Sequence, residues 1–332
     1  MTRPVAALAF RPELAPDLLG PRQRARLEAA CALAQADPIT AFDGAALATV
    51  EVLFTSWGCP VIDEAALVRL PRLRLVAHAA GSVKPIVSEA LWQRGVTVTS
   101  AAAANARPVA EFALAAILLA NKDAFAVRER YRSGRRAWRY PWTDPGATGN
   151  NGAVVGIVGA SRTGRQLIAL LRPFDLTVLC CDPYLSMEEA QRLDIAKVAL
   201  DALLARAQVV SLHAPLTPAT TGMIGRRELA LMRDGATLIN TARGPIVDTP
   251  ALAEALRSGR LKAVLDVSDP EPLPPDSALF DLPNVFLTPH IAGAAGLETQ
   301  RLADCAIDEI ERFAAGKALL HAVTADALAL LA

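Results

Sequence analysis

An apolar run that stops on a glycine and turns at once into a helix leaves few folds open. Ala153-Val-Val-Gly-Ile-Val-Gly-Ala-Ser-Arg-Thr-Gly164 is such a run. It reads as the strand, tight turn and helix that open a βαβ unit. The dinucleotide pattern G-x-G-x-x-G would put glycines at 159, 161 and 164. Gly159 and Gly164 match, and Ser161 stands in the middle. The glycines serve the tight turn, the close approach of backbone to a pyrophosphate, and close helix–strand packing. The helix start offers free N–H groups and a positive dipole end to phosphate. Ser161 either caps the helix or donates to that phosphate. The next apolar strand, Thr177–Cys181, ends in Asp182, an acid placed to accept hydrogen bonds from the ribose hydroxyls of NAD. A βαβ unit with a glycine turn and a surface acid is the plainer alternative for the same letters.

Short apolar runs alternate with helical patterns along the rest of the chain, which implies parallel sheets covered by helices. In the first series the expected strands are Val5–Phe10, Val50–Thr55, Leu73–Ala79 and Val96–Ser100. The expected helices are Gln23–Ala36, Ile62–Leu70 and Glu89–Arg94. Asn105 is a candidate N-cap for a long helix reaching about Arg130, with Pro108 in its first turn. A second series supplies strands at Ala153–Val158, Thr177–Cys181, Val209–Leu212, Thr237–Asn240, Ala263–Val267 and Val285–Leu287. The last helix, Gln300–Ala315, has no strand of its own and is expected to return to the first series. That predicts one α/β domain inserted into another: residues 105–295 within a domain made of 1–104 and 296–332.

Composition narrows the function. The 332 residues suit two ordinary domains. Lys plus Arg and Asp plus Glu number 34 each, so there is no basic surplus for nucleic acid to bind. Hydrophobic residues make up 52%, ample for large cores. The most apolar run, Phe112–Ala120, is too short to span a bilayer, and Met1–Val5 lacks the apolar core of a signal peptide. A soluble, cytoplasmic protein with neither membrane nor nucleic-acid partner is the expectation. Five cysteines include no C-x-x-C pair, so neither zinc nor a disulfide framework is indicated, and all five are read as buried free thiols. No metal is expected.

Three strings then follow in order: Leu238-Ile-Asn-Thr-Ala-Arg-Gly244, Leu265-Asp-Val-Ser-Asp-Pro-Glu-Pro272 and Thr288-Pro-His-Ile-Ala-Gly293. Each starts as a strand and ends in loop residues. Ligands of an open parallel sheet bind outside the C-terminal strand ends. Arg243, Glu271 and His290 are therefore delivered to one rim by three strands.

With these strings and the nucleotide unit in this order, the chain resembles the D-2-hydroxyacid dehydrogenase family over its whole length. The resemblance implies a Rossmann NAD-binding domain inserted into a flavodoxin-like substrate domain, both doubly wound. It also implies hydride transfer between NAD and a small 2-keto or 2-hydroxy acid. Arg243, Glu271 and His290 are the implied catalytic residues. A planar guanidinium grips carboxylate or carbonyl oxygens in a fork, and an imidazole, titrating near neutrality, hands over a proton. Glu271 orients that ring. Cofactor contacts are implied for Gly159, Ser161, Arg162, Thr163, Gly164, Asp182, His213, Ala214, Thr241, Ala242, Asp266 and Gly293. The turn His78-Ala-Ala-Gly-Ser-Val-Lys84 corresponds to the family's carboxylate-binding turn, with Gly81 and Ser82 supplying N–H groups beside Arg243 in holding the substrate. Ser82, Lys84 and Pro85 depart from the family pattern there. Lys84 either touches an acidic substrate tail or is simply solvated. Trp57, in the loop Phe54–Pro60, is either a pocket wall or core.

Six arginines between Arg128 and Arg139, interleaved with Trp138, Tyr140 and Trp142, resemble the family's subunit-joining arm and imply a homodimer. Two relatives offer other readings. One is an NADH-sensing binding protein like the corepressors of this fold, with little turnover. The other is a phosphite dehydrogenase, which resembles the same triad. Glu271 argues against formate dehydrogenase chemistry, and the lack of a C-terminal extension argues against the longer phosphoglycerate enzymes.

Overall fold

The computed structural model describes residues 3–134 and 149–328. Trp138, Tyr140 and Trp142 of the expected subunit-joining arm lie outside them.

The first five strands are β1 (Val5–Ala9), β2 (Ala32–Leu33), β3 (Val52–Thr55), β4 (Leu75–His78) and β5 (Thr97–Ser100). Seven more follow: β6 (Val154–Val158), β7 (Thr177–Cys181), β8 (Ala196–Lys197), β9 (Val209–Leu212), β10 (Thr237–Asn240), β11 (Lys262–Leu265) and β12 (Val285–Leu287). β13 (Ala322–Val323) comes last. They form two sheets in two units. One unit runs to Ala106 and resumes at Ala294, and the other is Arg107–Gly293.

The first unit's sheet has the order β13-β5-β4-β3-β1-β2, parallel except for β13. Its central order, 2-1-3-4-5 read from β2, is flavodoxin-like. Strand alternation sends Ala7, Ala9, Leu53, Val76 and Val98 to one core and Ala6, Leu8, Phe10, Phe54 and Leu75 to the other. The C-terminal helix Thr299–Ala314 completes that second core with Leu302, Ala303, Ala306, Ile307 and Ile310. Arg26, on the helix Pro21–Ala30, pins it by pairing with Asp304, Asp308 and Glu311.

The second unit's sheet is β12-β11-β10-β9-β6-β7-β8, parallel throughout. This is the doubly wound order of dinucleotide-binding folds, with the crossover reversing at β6 and β9. Ala110, Ala113, Ile117 and Ala120 of the helix Ala102–Asn121 face its core at helical spacing. That 20-residue helix is, by length and composition, apolar enough to cross a membrane, although the apolar run within it looked too short.

Several expectations are corrected. The long helix starts at Ala102, not after an Asn105 cap: the Ser100 hydroxyl accepts the Ala102 N–H at 3.1 Å. Asn105 sits inside the helix, where its Oδ1 accepts the Ala294 N–H at 3.0 Å. The helix also breaks before Arg130. Asp123 adopts φ +53°, and its buried carboxylate takes the Lys262 ammonium at 2.6 Å and Arg130 at 3.3 Å. A separate helix, Ala124–Gly134, follows. The helix expected through Ala36 stops at Ala30, because Ala32 and Ala34 donate to Pro4 and Ala6 along the edge of β1. Tertiary pairing overrides the local helical pattern there. All described cysteines are free, but Cys181 and Cys305 are half-buried rather than buried.

Candidate active site

β6 ends in Gly159, whose φ of +100° is a glycine conformation. A Cβ there would stand 2.5 Å from the Ala214 nitrogen, and one on Gly164 would stand 2.1 Å from the Gly159 carbonyl oxygen. Both glycines are therefore required by close backbone passes. Ser161 is different. Its φ of −64° needs no glycine, and its hydroxyl caps the helix Arg162–Leu171 by accepting the Gly164 N–H at 3.3 Å. Of the two tasks open to Ser161, the helix cap is the one this structure contains. Arg162 and Thr163 form the first turn behind it.

The Asp182 carboxylate accepts N–H groups from Ala160 at 2.7 Å, Tyr184 at 2.7 Å and Leu185 at 3.2 Å. It thus fastens the glycine turn to the end of β7. His213 is buried, and its ring shares a 2.8 Å hydrogen bond with the Ser211 hydroxyl. Burial pushes its pKa down to about 4, so the imidazole is neutral at pH 7. Its backbone, with that of Ala214, lines the back of the glycine turn.

At the end of β10 the Asn240 side chain closes a local clamp. Its Nδ2 donates to the Arg243 carbonyl at 2.9 Å, and its Oδ1 accepts the Ala242 N–H at 3.0 Å. The sequence assigns Asn240 no role; a polar residue ending an otherwise apolar strand is its one signal there. The Arg243 guanidinium donates to the Ala242 carbonyl at 2.6 Å. Burial lowers its pKa and the Glu271 charge draws it back. Gly244 has no room for a side chain, since a Cβ would stand 1.9 Å from the Ser268 carbonyl oxygen. The arginine turn therefore rests directly on the loop that carries Glu271.

Glu271 and His290 meet at that rim, Oε1 to Nδ1 at 2.5 Å, both about half exposed. His290 holds φ +57°, an uncommon conformation for a residue with a Cβ. Asp266, only 2% exposed, is what holds it. The Asp266 carbonyl accepts the His290 N–H at 2.8 Å. Its carboxylate accepts the Thr288 hydroxyl at 2.6 Å and the N–H groups of Ile291 and Ala292 at 2.8 and 2.9 Å. Asp266, expected among the cofactor contacts, thus has its carboxylate engaged inside the chain, by the segment that runs up to the half-buried Gly293.

The residues fit a dinucleotide. The glycine turn is a cradle that any Cβ would fill, and at the same sheet edge, after β10, the buried Thr241 hydroxyl has no hydrogen-bond partner among the described residues. No described cluster of His, Cys, Asp or Glu could hold a metal ion.

In the first unit, the turn after β4 is built from below. The Ser56 hydroxyl donates to the Ala79 carbonyl at 3.0 Å, and the Ser100 hydroxyl to the Gly81 carbonyl at 2.6 Å. His78 bonds the Thr55 hydroxyl at 2.9 Å. Its burial pushes its pKa down to about 4 against a bond to the Ser82 backbone. With the carbonyls drawn inward, the Gly81 and Ser82 N–H groups donate to nothing within the described residues. Backbone amides left without an internal acceptor can donate to an anion. Trp57 is half-buried, packed on the core behind β1 and β3.

Residues 114–292 match the family described as "D-isomer specific 2-hydroxyacid dehydrogenase, NAD binding domain". The D-3-phosphoglycerate dehydrogenase of Mycobacterium leprae is 36% identical over 269 residues, covering 80% of this chain and 49% of that protein. The chain therefore spans about half the length of that curated relative. The glyoxylate reductase of Korarchaeum cryptofilum is 33% identical over 259 residues, 77% of each chain. A crystal structure of a D-isomer specific 2-hydroxyacid dehydrogenase from Xanthobacter autotrophicus, in complex with NADPH and MES, superposes with a TM-score of 0.72 at 26% identity, covering 97% of this chain and 98% of that one.

Proposed function

This chain belongs to the D-isomer specific 2-hydroxyacid dehydrogenase family, and on that premise we propose that it interconverts a small 2-keto acid and its D-2-hydroxy acid with NAD. The observation that carries the reading is the 2.5 Å Glu271–His290 pair on the rim that also presents Arg243. NAD, when bound, supplies or accepts the hydride.

The chain's own groups do the rest. His290 gives a proton from Nε2 to the keto oxygen, or takes one from the hydroxyl in reverse. Glu271, bonded at Nδ1, keeps the ring turned with Nε2 outward. Arg243 offers a partly desolvated fork for the oxygens of the keto acid, where its charge acts more strongly than in water. Gly81 and Ser82 offer N–H groups to the substrate carboxylate. The glycine turn, Thr241 and the N-terminus of the helix Arg162–Leu171 are the groups that would hold the dinucleotide.

The test is oxidation of NADH with a panel of 2-keto acids, in the unmodified chain and in His290→Ala. General acid catalysis contributes about 10²- to 10⁴-fold, so kcat should fall by that much while NADH binding stays within a few-fold. NADH binding without turnover of any keto acid would overturn the reading.

A further inference from the structure

A doubly wound sheet binds its ligand where the strand order reverses. In the first unit that point lies between the ends of β1 and β3, since β2 lies on the far side of β1 and the chain returns across it to β3. Ala9, Thr55 and His78 stand level across β1, β3 and β4. Just beyond this line the rim carries Arg11, then Trp57 and Gly58, then the Gly81–Ser82 turn.

Arg11 is built into that position. Its N–H donates to the Trp57 carbonyl at 3.0 Å, joining the two loops at the reversal. Gly58 holds φ +84°, and a Cβ there would stand 2.4 Å from Arg11 Cγ and 3.0 Å from its Nε. The missing side chain is the room in which the arginine lies. Arg11 is exposed, and none of the ion pairs among the described residues includes it.

We propose that Arg11 is a specificity-determining residue that grips a second anionic group, carboxylate or phosphate, at the end of the substrate remote from the keto carbon. The inference rests on the hydride-transfer reading above. Neighbouring strands lie about 4.8 Å apart, so the ends of β1 and β4 are separated by about 10 Å. A short keto acid with its first carboxylate on the Gly81 and Ser82 N–H groups needs only the arginine's reach to close that gap.

The experiment compares kcat/KM for NADH-dependent reduction of pyruvate and 2-oxobutyrate with that for oxaloacetate, 2-oxoglutarate and phosphohydroxypyruvate. The unmodified chain should favour at least one dianionic acid about tenfold, and the dicarboxylate and phosphate arms identify which anion is read. A charge-assisted hydrogen bond corresponds to about 10- to 100-fold, so Arg11→Met should reduce the dianion-to-monoanion ratio by that much, chiefly through KM. Arg11→Lys should recover part of it. An unchanged ratio in Arg11→Met overturns the proposal, as does a ratio that collapses in Lys84→Met instead. Failure of every keto acid in the unmodified chain overturns the hydride-transfer reading and this inference with it.

Discussion

Asp266 holds His290 from both sides of its own backbone: its carbonyl accepts the His290 N–H, and its carboxylate accepts the two N–H groups that follow. The His290 backbone is thereby held in a left-handed conformation by bonds from Asp266 to the chain on which the ring sits. Asp266→Asn keeps one acceptor but turns a donor toward a donor. A buried unsatisfied group costs about 1–3 kcal/mol, so the midpoint of denaturant unfolding should fall accordingly. Turnover should fall further than stability explains, because His290 is released. An Asn variant with full kcat would show that the clamp is irrelevant to the ring.

Ser161 makes a prediction against the motif. Replacing it with glycine completes the G-x-G-x-x-G pattern, yet its φ is already ordinary and only the cap is lost. Ser161→Gly should leave NADH affinity within about twofold, and Ser161→Ala should cost about 1 kcal/mol of stability. Fluorescence titration and denaturant melts read the two effects. Tenfold tighter binding in the glycine variant would reveal a steric need that the geometry does not contain.

Acid should unfold this protein through its buried imidazoles. His78 and His213 both have pKa values lowered to about 4 by burial. Between pH 6.5 and 4 the unfolded chain takes up protons that the folded chain refuses, so stability is full above this window and falls as pH drops through it. Each shift is worth about 3 kcal/mol over the full window. His213→Asn should flatten the pH dependence of its unfolding midpoint by about half. An unaltered slope would mean that the ring is not buried neutral.

Asp182 sets the expected choice of cofactor. Its carboxylate ends β7 and would repel the extra phosphate of NADPH by about 4 kcal/mol at 4 Å and an effective dielectric near 20. Screening removes part of that, leaving a preference for NADH of about one to three powers of ten in kcat/KM. Asp182→Asn should narrow the gap. It should also loosen the turn slightly, because Ala160 donates to the same carboxylate. Equal use of both cofactors by the unmodified chain would place the ribose elsewhere.

The rim residues were readable because each ends a strand in a short, ordered string: Arg243 after β10, Glu271 after β11 and His290 after β12. What the sequence hid depends on contacts between segments distant in the chain. β2 and β13 are two residues long and exist only by pairing with β1 and β5. Asn105 had the letter of a cap, but Ser100 was better placed to serve. The task of Asp266 depends on Thr288, Ile291 and Ala292, which no local pattern connects to it. Asn240 shows in the sequence only as a polar end to an apolar strand, and its task appears once the Arg243 turn has folded around it.

The first unit is made from both ends of the chain. Its second core includes Leu302, Ile307 and Ile310 from the helix Thr299–Ala314, and its sheet ends in β13. During synthesis, Arg107–Gly293 emerges as one uninterrupted stretch and has every strand of its own sheet before that helix leaves the ribosome. The earlier residues wait with an apolar face uncovered until the helix Thr299–Ala314 arrives. Translation pausing or premature termination between Gly293 and Thr299 therefore exposes the segment made before Arg107, and leaves Arg107–Gly293 intact.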